Sequence, residues 1–339
     1  MTRVRISDIA KEAGVSPATV SRYLNNKPGS MSAETRQRIA EVIERTGYHP
    51  NSAARSLRTD RSNVFGVILA DIRNPFSSAM LESLSTRAAK DGFSLMTAVS
   101  SNDPQAEAEA IDRLVNAGVD GLIVNTCGGN DELIAETNRH IPTVLLDRDT
   151  ADSSVDLVTS NNAELVTLLM DELVACGCCR CYLITEHSDT SSIRRERSIQ
   201  FTHELEERGL DGAVFAVDYD TATAAQQLID LLDSSAGIKP IGLLAINGLV
   251  FLRLIEAINA SGIQIPEQAR LATFDDYAWN RLLFGGVTTA AQDTQGIADA
   301  IVRQLIERCE AESAGSDLAG QRTRIEIPGS IIRRPSTAA

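Results

Sequence analysis

The chain has 339 residues, of which 43% are hydrophobic and 23% are charged. This composition is typical of a globular protein with two or three folding units. No apolar run reaches the roughly 18 residues that a membrane helix needs, and the N-terminus lacks the apolar segment of a secretory signal. These features argue against membrane and secreted classes. We therefore expect a cytoplasmic protein whose six cysteines are reduced thiols.

The net charge of −14 is divided unevenly along the chain. Residues 1–60 contain ten Arg or Lys and six Asp or Glu, a net charge of +4, so the other 279 residues carry −18. Phosphate attracts the first segment and repels the second. The asymmetry therefore favours an N-terminal region that contacts DNA, attached to an acidic body.

The first sixty residues predict short helices with helix-turn-helix spacing. Apolar residues from Ile6 to Ala13 keep a helical period that ends in glycine. Ser16 followed by Pro17 is typical of the start of a second helix. The second helix of such a unit lies in the major groove of DNA. Periodicity alone leaves open the alternative of a plain helical hairpin with a surface arginine.

Several side chains of the second helix have the chemistry to contact DNA. Arg22 can donate paired hydrogen bonds to guanine, and Ala18 can contact a thymine methyl group. The hydroxyls of Ser16, Thr19 and Ser21 can bond phosphate and fix the docking. This segment is thus the predicted DNA-reading element.

From Val64 onward, short apolar runs alternate with amphipathic segments of ten or more residues. The runs include VFGVILA, FSLMTAV, GLIVN, PTVLL, CYLIT, AVFAV, IGLLAI and RLATF. This alternation is typical of parallel sheets covered by helices. Eight or more strands over about 275 residues favour two doubly wound lobes. Such lobes bind ligands at the carboxyl ends of their strands.

Two patterns in the N-terminal segment closely resemble the headpiece of LacI/GalR-family transcription regulators. They are IxDIAxxAGVSxxTVSRxLN, which starts at Ile6, and SxxTRxRIxxxIxxxGYxPNxxARSL, which ends at Leu57. The resemblance implies an all-α helix-turn-helix headpiece and an α/β two-lobed core like that of periplasmic sugar-binding proteins. It also implies a repressor that binds near-palindromic operator DNA as a homodimer and holds a small sugar-like effector between its lobes.

The resemblance implies three regions in the chain. These are a headpiece over residues 1–50, a hinge helix and linker over 51–63, and an effector-binding and dimerisation core over 64–339. Within the core, the first lobe is expected over about 64–160 and 291–321, and the second over about 161–290 and 322–335. No leucine heptad follows Ile332, and residues 333–339 are predicted to fray, so we expect a dimer.

The stretch from Asn51 to Arg58 resembles the hinge helix of the family, in which Leu57 would wedge open a base step in the minor groove. Apolar wedging of this kind bends DNA. The alternative for Leu57 is a solitary apolar residue in a linker. The residues predicted to bind DNA are Ile6, Ser7, Ser16, Pro17, Ala18, Thr19, Ser21, Arg22, Asn25, Ser32, Thr35, Asn51, Ala54 and Leu57.

Polar residues at the ends of several predicted strands match the effector site of the family. The residues predicted to bind effector are Asn74, Phe76, Asn125, Asp147, Arg148, Arg195, Arg197, Asn247, Asp275, Trp279 and Gln292. The alternative for an Asn or Asp in this position is a simple turn or N-cap residue. Gln200 stands where the family usually has glycine, which leaves the register of the nearby arginines open by about one turn.

The predicted site chemistry favours a sugar or a sugar acid as effector. Asp and Asn pair with hydroxyls, and Arg pairs with hydroxyls or a carboxylate. The segment FDDYAWNRLLFGGVTT is similar to family members that regulate ketodeoxygluconate-type sugar acids. Trp279, the single tryptophan, is predicted either to stack on a sugar ring at the mouth of the cleft or to fill the core of the second lobe.

Two alternative functions are open at this point: a sugar-processing enzyme fused to a headpiece, and a purely architectural DNA binder. The chain has no P-loop, GxGxxG, HExxH or GxSxG motif, and its four histidines are scattered. We therefore expect no enzyme, cofactor or metal. The cluster CGCCRC, from Cys176 to Cys181, is predicted to contain small buried residues, with a metal or redox site as the alternative.

Overall fold

The structure is a computed structural model that describes residues 4–24, 31–48, 61–151, 154–186, 191–217, 221–235, 237, 240–313 and 322–338. The chain forms two compact units, Met1–Ser62 and Asn63–Ala339. None of the described helices is long and apolar enough to cross a membrane.

The N-terminal unit contains three helices: α1 (Ile6–Ala13), α2 (Pro17–Leu24) and α3 (Ala33–Thr46). The hydroxyl oxygens of Ser16 and Ser32 accept hydrogen bonds from backbone N–H groups in the first turns of α2 and α3. The apolar faces of the helices then meet in a small core that includes Ile9, Val20 and Ile39.

The second unit contains twelve described strands, which form two six-stranded sheets. In chain order the strands are β1 (Val64–Leu69), β2 (Ser94–Val99), β3 (Gly121–Val124), β4 (Thr143–Leu146), β5 (Asp156–Ser160), β6 (Arg180–Glu186), β7 (Asp211–Val217), β8 (Ile241–Ala245), β9 (Ala269–Phe274), β10 (Thr288–Ala291), β11 (Arg324–Ile327) and β12 (Ser330–Ile332). The sheet orders are β11-β5-β4-β3-β1-β2 and β12-β10-β9-β8-β6-β7. All neighbours are parallel except β10 and β12.

Helices cover both sheets. They are α4 (Pro75–Lys90), α5 (Pro104–Asn116), α6 (Asp131–Asn138), α7 (Asn162–Ala175), α8 (Ser192–Arg208), α9 (Thr221–Ser234), α10 (Gly248–Ser261) and α11 (Thr294–Ser313). In α4, for example, Phe76, Met80, Leu84 and Ala88 are buried at a spacing of four residues, which turns one apolar stripe toward the sheet. Alternate residues of the first sheet pack into separate clusters on its two faces.

The chain crosses between the lobes three times: after β5, after β10 and after β11. The last crossing corrects the sequence-based boundaries, which placed residues from 322 onward in the second lobe. β11 pairs with β5 in the first sheet, and only β12 joins the second. The alternating Ile325 and Ile327 pack against the core of the first lobe, so this strand completes the edge of its sheet.

The C-terminal segment is another correction, because the sequence predicted fraying after Ile332. Instead, Pro335–Thr337 form a short 3-10 helix in which Ser336 and Thr337 are 0% and 1% exposed. The Ser336 hydroxyl donates to the Leu271 carbonyl at 2.6 Å and accepts from the Thr288 N–H at 2.9 Å. Hydrogen bonds of polar side chains, rather than apolar residues, hold the tail against β9 and β10.

Candidate functional site

The exposed face of α2 is the candidate DNA interface. Ser16, Pro17, Ala18 and Arg22 are exposed, whereas Val20 is fully buried in the core of the headpiece. The Ser16 hydroxyl lies 2.9 Å from the Thr19 hydroxyl, and Thr19 N–H donates to it at 3.2 Å. α2 thus presents an arginine and small side chains outward, as a helix that enters a groove requires.

The other predicted DNA-binding residues have mixed positions. Ser7 is exposed, Ser21 and Thr35 are half-buried, and Ile6 packs partly against the headpiece core. The Ser32 hydroxyl caps α3 by accepting from Thr35 N–H at 3.2 Å. The remaining members of the predicted set lie outside the described residues: Asn25, Asn51, Ala54 and Leu57.

The cleft between the two lobes contains a cavity of about 30 Å³, which we call the inner chamber. Both sheets have the strand order in which the third and first strands are neighbours, so the chamber lies where loops diverge at the carboxyl ends of the strands. Eight of the eleven predicted effector-binding residues line it: Asn74, Phe76, Asp147, Arg148, Arg197, Asn247, Asp275 and Gln292.

Asp147 and Asp275 occupy corresponding positions in the two lobes, directly after β4 and β9. Both have left-handed backbone conformations, with φ of 65° and 70°. Aspartate tolerates this conformation better than most residues, and such strain is concentrated at functional sites. Burial raises the pKa of Asp147 to about 6, against the opposing charges of Arg197 and Arg148. Burial also raises the pKa of Asp275.

Arg197 is 4% exposed, and its charge interacts with both of these carboxylates. Its Nε donates to Asn162 Oδ1 at 2.8 Å, its Nη1 donates to the Ile246 carbonyl at 2.7 Å, and its guanidinium lies 3.6 Å from the centre of the Phe274 ring. Burial lowers the pKa of Arg197, and the flanking aspartates oppose that effect. Arg197 therefore connects Asn162, Ile246 and Phe274 beside the inner chamber.

Gln292 connects the inner chamber to the crossings between the lobes. Its Nε2 donates to Asp275 Oδ1 at 2.6 Å, and its Oε1 accepts from the Ser160 hydroxyl at 2.7 Å. Ser160 ends β5 at the first crossing, and Gln292 lies in the second. A chain of hydrogen bonds therefore runs from Asp275 through Gln292 to Ser160 at the first crossing.

A second cavity of about 80 Å³, the outer chamber, adjoins the first and shares Asn74, Arg148 and Arg194 with it. Nη1 of Arg148 donates to Asn102 Oδ1 at 3.3 Å and to the Thr126 carbonyl at 3.1 Å. Burial lowers the pKa of Arg148, and the nearby positive charge of Arg194 lowers it further. The two chambers together provide a polar cleft with an excess of arginine.

Three predicted residues do not line either chamber. Asn125 accepts from Ala70 N–H at 3.4 Å and donates to the Leu146 carbonyl at 2.9 Å, so it braces the ends of neighbouring strands. Arg195 is exposed on α8. Trp279 packs against the core of the second lobe, with its ring centre 4.7 Å from that of Tyr277. The structure therefore favours the core-filling alternative for Trp279.

The structure also brings in residues that sequence analysis missed, namely Ser191, Ile193, Arg194 and Ile246. Helical spacing contained a signal for Arg194. A residue three positions before Arg197 shares its face of α8, whereas a residue two positions before it does not. Asn74 and Asn247 fit both the N-cap alternative and the effector-site prediction. Each of these two residues caps a helix and also lines the inner chamber.

The cysteine cluster lies at the joint between α7 and β6, away from both chambers. Cys178 and Cys181 are buried, Cys176 is half-buried and Cys179 is exposed. A Cβ on Gly242 would approach Cys181 Sγ to 2.7 Å, so this glycine makes room for the thiol. Among the described residues, no group of three or more His, Cys, Asp or Glu is placed to hold a metal ion.

Comparisons with known proteins agree with this architecture. The sequence model for bacterial regulatory proteins of the lacI family matches residues 5–51, and that for a periplasmic binding protein-like domain matches residues 170–337. The HTH-type transcriptional regulator PtxS of Pseudomonas plecoglossicida is 38% identical over 99% of this chain and 96% of its own length. The chain belongs to the LacI family. The HTH-type transcriptional regulator KdgR of Bacillus subtilis is 31% identical over 98% of this chain and 97% of its own.

The fold is also that of a LacI-family protein of known structure. The lac repressor dimer bound to operator and the anti-inducer ONPF superposes with a TM-score of 0.85, at 23% identity over 100% of both chains. The predicted family, the helical headpiece and the two-lobed α/β core are thereby confirmed. This LacI-family chain is a DNA-binding transcription regulator.

Proposed function

We propose that this regulator is a cytoplasmic homodimeric repressor of a near-palindromic operator, and that a sugar acid bound between its lobes controls operator affinity. The observation that carries the ligand class is the cleft lining, where Arg148 and Arg194 line both chambers and Asp147 and Asp275 line the inner one. Arginine forms paired, charge-assisted hydrogen bonds with a carboxylate, and aspartate accepts from hydroxyls. A polyhydroxylated acid offers both groups.

The dimeric, operator-binding state is supported by the shared fold with the lac repressor, whose structure is a dimer on its operator. The exposed arginine of α2, Arg22, is the residue proposed to read a base. Leu57, outside the described residues, is proposed as the hinge wedge on the grounds of the sequence resemblance.

The decisive experiment measures operator binding by fluorescence anisotropy with the full-length protein and a duplex selected from random sequence. Adding D-gluconate, D-galactonate or 2-keto-3-deoxy-D-gluconate is expected to weaken operator binding about 5- to 150-fold for one of these acids, since allosteric coupling energies are typically about 1–3 kcal/mol. D-glucitol, which lacks the carboxylate, is the matched neutral compound.

The control is Asp275→Asn, which keeps the size and the left-handed backbone tolerance of the residue but removes its charge. This variant is expected to bind operator like the wild type and to respond more weakly to the acid, because an amide oxygen accepts a weaker hydrogen bond than a carboxylate. Failure of all three acids to change operator affinity, or an unaltered response in the variant, would contradict the proposal.

A further inference from the structure

The inner chamber is a poor place for the carboxylate of a sugar acid, although it contains Arg197. Two of the guanidinium nitrogens of Arg197 already donate to Asn162 and Ile246, and its face is covered by Phe274. The carboxylates of Asp147 and Asp275 flank it and would repel an anion. The chemistry at this end of the cleft suits ligand hydroxyls.

The outer chamber has a larger excess of positive charge, and its carboxylates are paired with arginines. Its charged lining consists of four arginines and two carboxylates: Arg73, Arg148, Arg194, Arg253, Asp71 and Glu186. Each carboxylate is already engaged by an arginine of its own lobe, with Arg73 2.8 Å from Asp71 and Arg194 2.8 Å from Glu186. The chamber therefore has an excess of two positive charges.

Two of these arginines come from opposite lobes. Arg148 follows β4 in the first lobe, whereas Arg194 lies on α8 in the second. Each of these two arginines lines both chambers. The charge of Arg194 is close enough to lower the pKa of Arg148. Like charges that face each other across a cleft oppose its closure unless an anion lies between them.

We propose that Arg148 and Arg194 form an anion clasp in which the carboxylate of the effector joins the two lobes, while the hydroxylated tail of the effector points to Asp147 and Asp275. This inference rests on the proposed sugar-acid function and adds an orientation to it. Glu186 serves as a positioning residue, because its carboxylate holds the Arg194 guanidinium.

The orientation determines which acids fit. A sugar monoacid places one carboxylate in the clasp and hydroxyls in the inner chamber. A sugar diacid of the same length would bring its second carboxylate between Asp147 and Asp275, where charge repulsion is expected. A neutral polyol lacks the group that the clasp binds. The expected order of affinity is therefore monoacid above both polyol and diacid.

The test is titration calorimetry of the full-length protein with D-gluconate, 2-keto-3-deoxy-D-gluconate, D-glucitol and D-glucarate. Arg194→Gln is expected to weaken the best monoacid about 10- to 100-fold, as for the loss of a charge-assisted hydrogen bond. It should leave D-glucitol nearly unchanged. Arg148→Gln, on the opposite wall, should produce the same loss of preference for the acid.

Arg195→Gln is the matched control, because Arg195 is the adjacent residue of α8 and is exposed outside both chambers. It is expected to bind the monoacid like the wild type, and unchanged thermal midpoints without ligand will show that the variants are folded. A monoacid that binds Arg194→Gln and wild type equally overturns the clasp and leaves the proposed function standing. Failure of every acid to bind the wild type overturns both the clasp and the proposed function. A diacid that binds as tightly as the monoacid overturns the proposed orientation.

Discussion

Replacing Asp147 with asparagine is expected to make the ligand-free protein more stable at neutral pH, although the residue lies in the proposed binding site. Asp147 is 8% exposed, and its Oδ1 has no hydrogen-bond partner among the described residues. Burial raises its pKa to about 6, even though Arg197 and Arg148 act in the opposite direction. The folded protein thus tolerates the ionised carboxylate poorly.

The sign and size of the effect follow from the two pKa values, 3.8 in the unfolded chain and about 6 in the folded protein. Between these values the folded protein keeps a proton that the unfolded chain has lost, so wild-type stability falls as pH rises through this window. A difference of about two pKa units corresponds to about 3 kcal/mol. Asparagine cannot ionise, so the advantage of Asp147→Asn should grow by most of this difference, about 2 kcal/mol, from pH 4 to pH 7.

The assay is urea unfolding at several pH values, followed by the emission of Trp279. This is the only tryptophan of the chain, and it packs in the second lobe, so its signal reports on the core unit. Asp276→Asn is a control with the opposite sign. Although burial opposes it, hydrogen bonds from Arg334 lower the pKa of Asp276, so this variant should lose stability at pH 7 and recover toward the wild type as pH falls. If Asp147→Asn gains nothing between pH 4 and pH 7, the carboxylate is ionised without penalty and the reasoning is wrong.

Three further outcomes are expected. Arg22→Ala should weaken operator binding by about 1–3 kcal/mol and relax the preference at one base pair; an equal loss on random DNA in the same anisotropy assay would assign Arg22 to phosphate. Ser336→Ala should reduce the free energy of unfolding by about 2–3 kcal/mol, because the buried Thr288 N–H and Leu271 carbonyl lose their shared partner. A change below about 0.5 kcal/mol, roughly the range of ordinary surface substitutions, would show that the tail does not contribute to stability. When the protein is treated with a thiol-reactive chromophore, Cys179 should react first because it is exposed, and Cys179→Ser should remove the fast phase of the reaction. Cys127 should stay unreactive, because burial raises the pKa of its thiol to about 12.

Local features of the sequence determined the headpiece and the class of the core. Glycine C-caps and serine N-caps mark ends of the helices α1 to α3, and such caps depend on neighbouring residues alone. The alternation of short apolar runs with amphipathic segments predicted parallel sheets covered by helices, since a strand buried on both faces has no polar side. Strand ends were visible as well, and together with the family resemblance they led to the prediction of Asp147 and Asp275, which line the inner chamber.

The tertiary structure decided what depends on the direction of a side chain or on distant partners. One residue along a helix turns the side chain by about 100°, so Arg194 and not Arg195 faces the cleft. Asn125 ends a strand like its neighbours, but the backbone groups of Ala70 and Leu146 bind its side chain. The polar tail looked free in sequence because its partners, Leu271 and Thr288, are 65 and 48 residues away from Ser336. Sequence patterns report the local period of a chain, whereas burial of these polar groups depends on long-range hydrogen bonds that only the folded sheets provide.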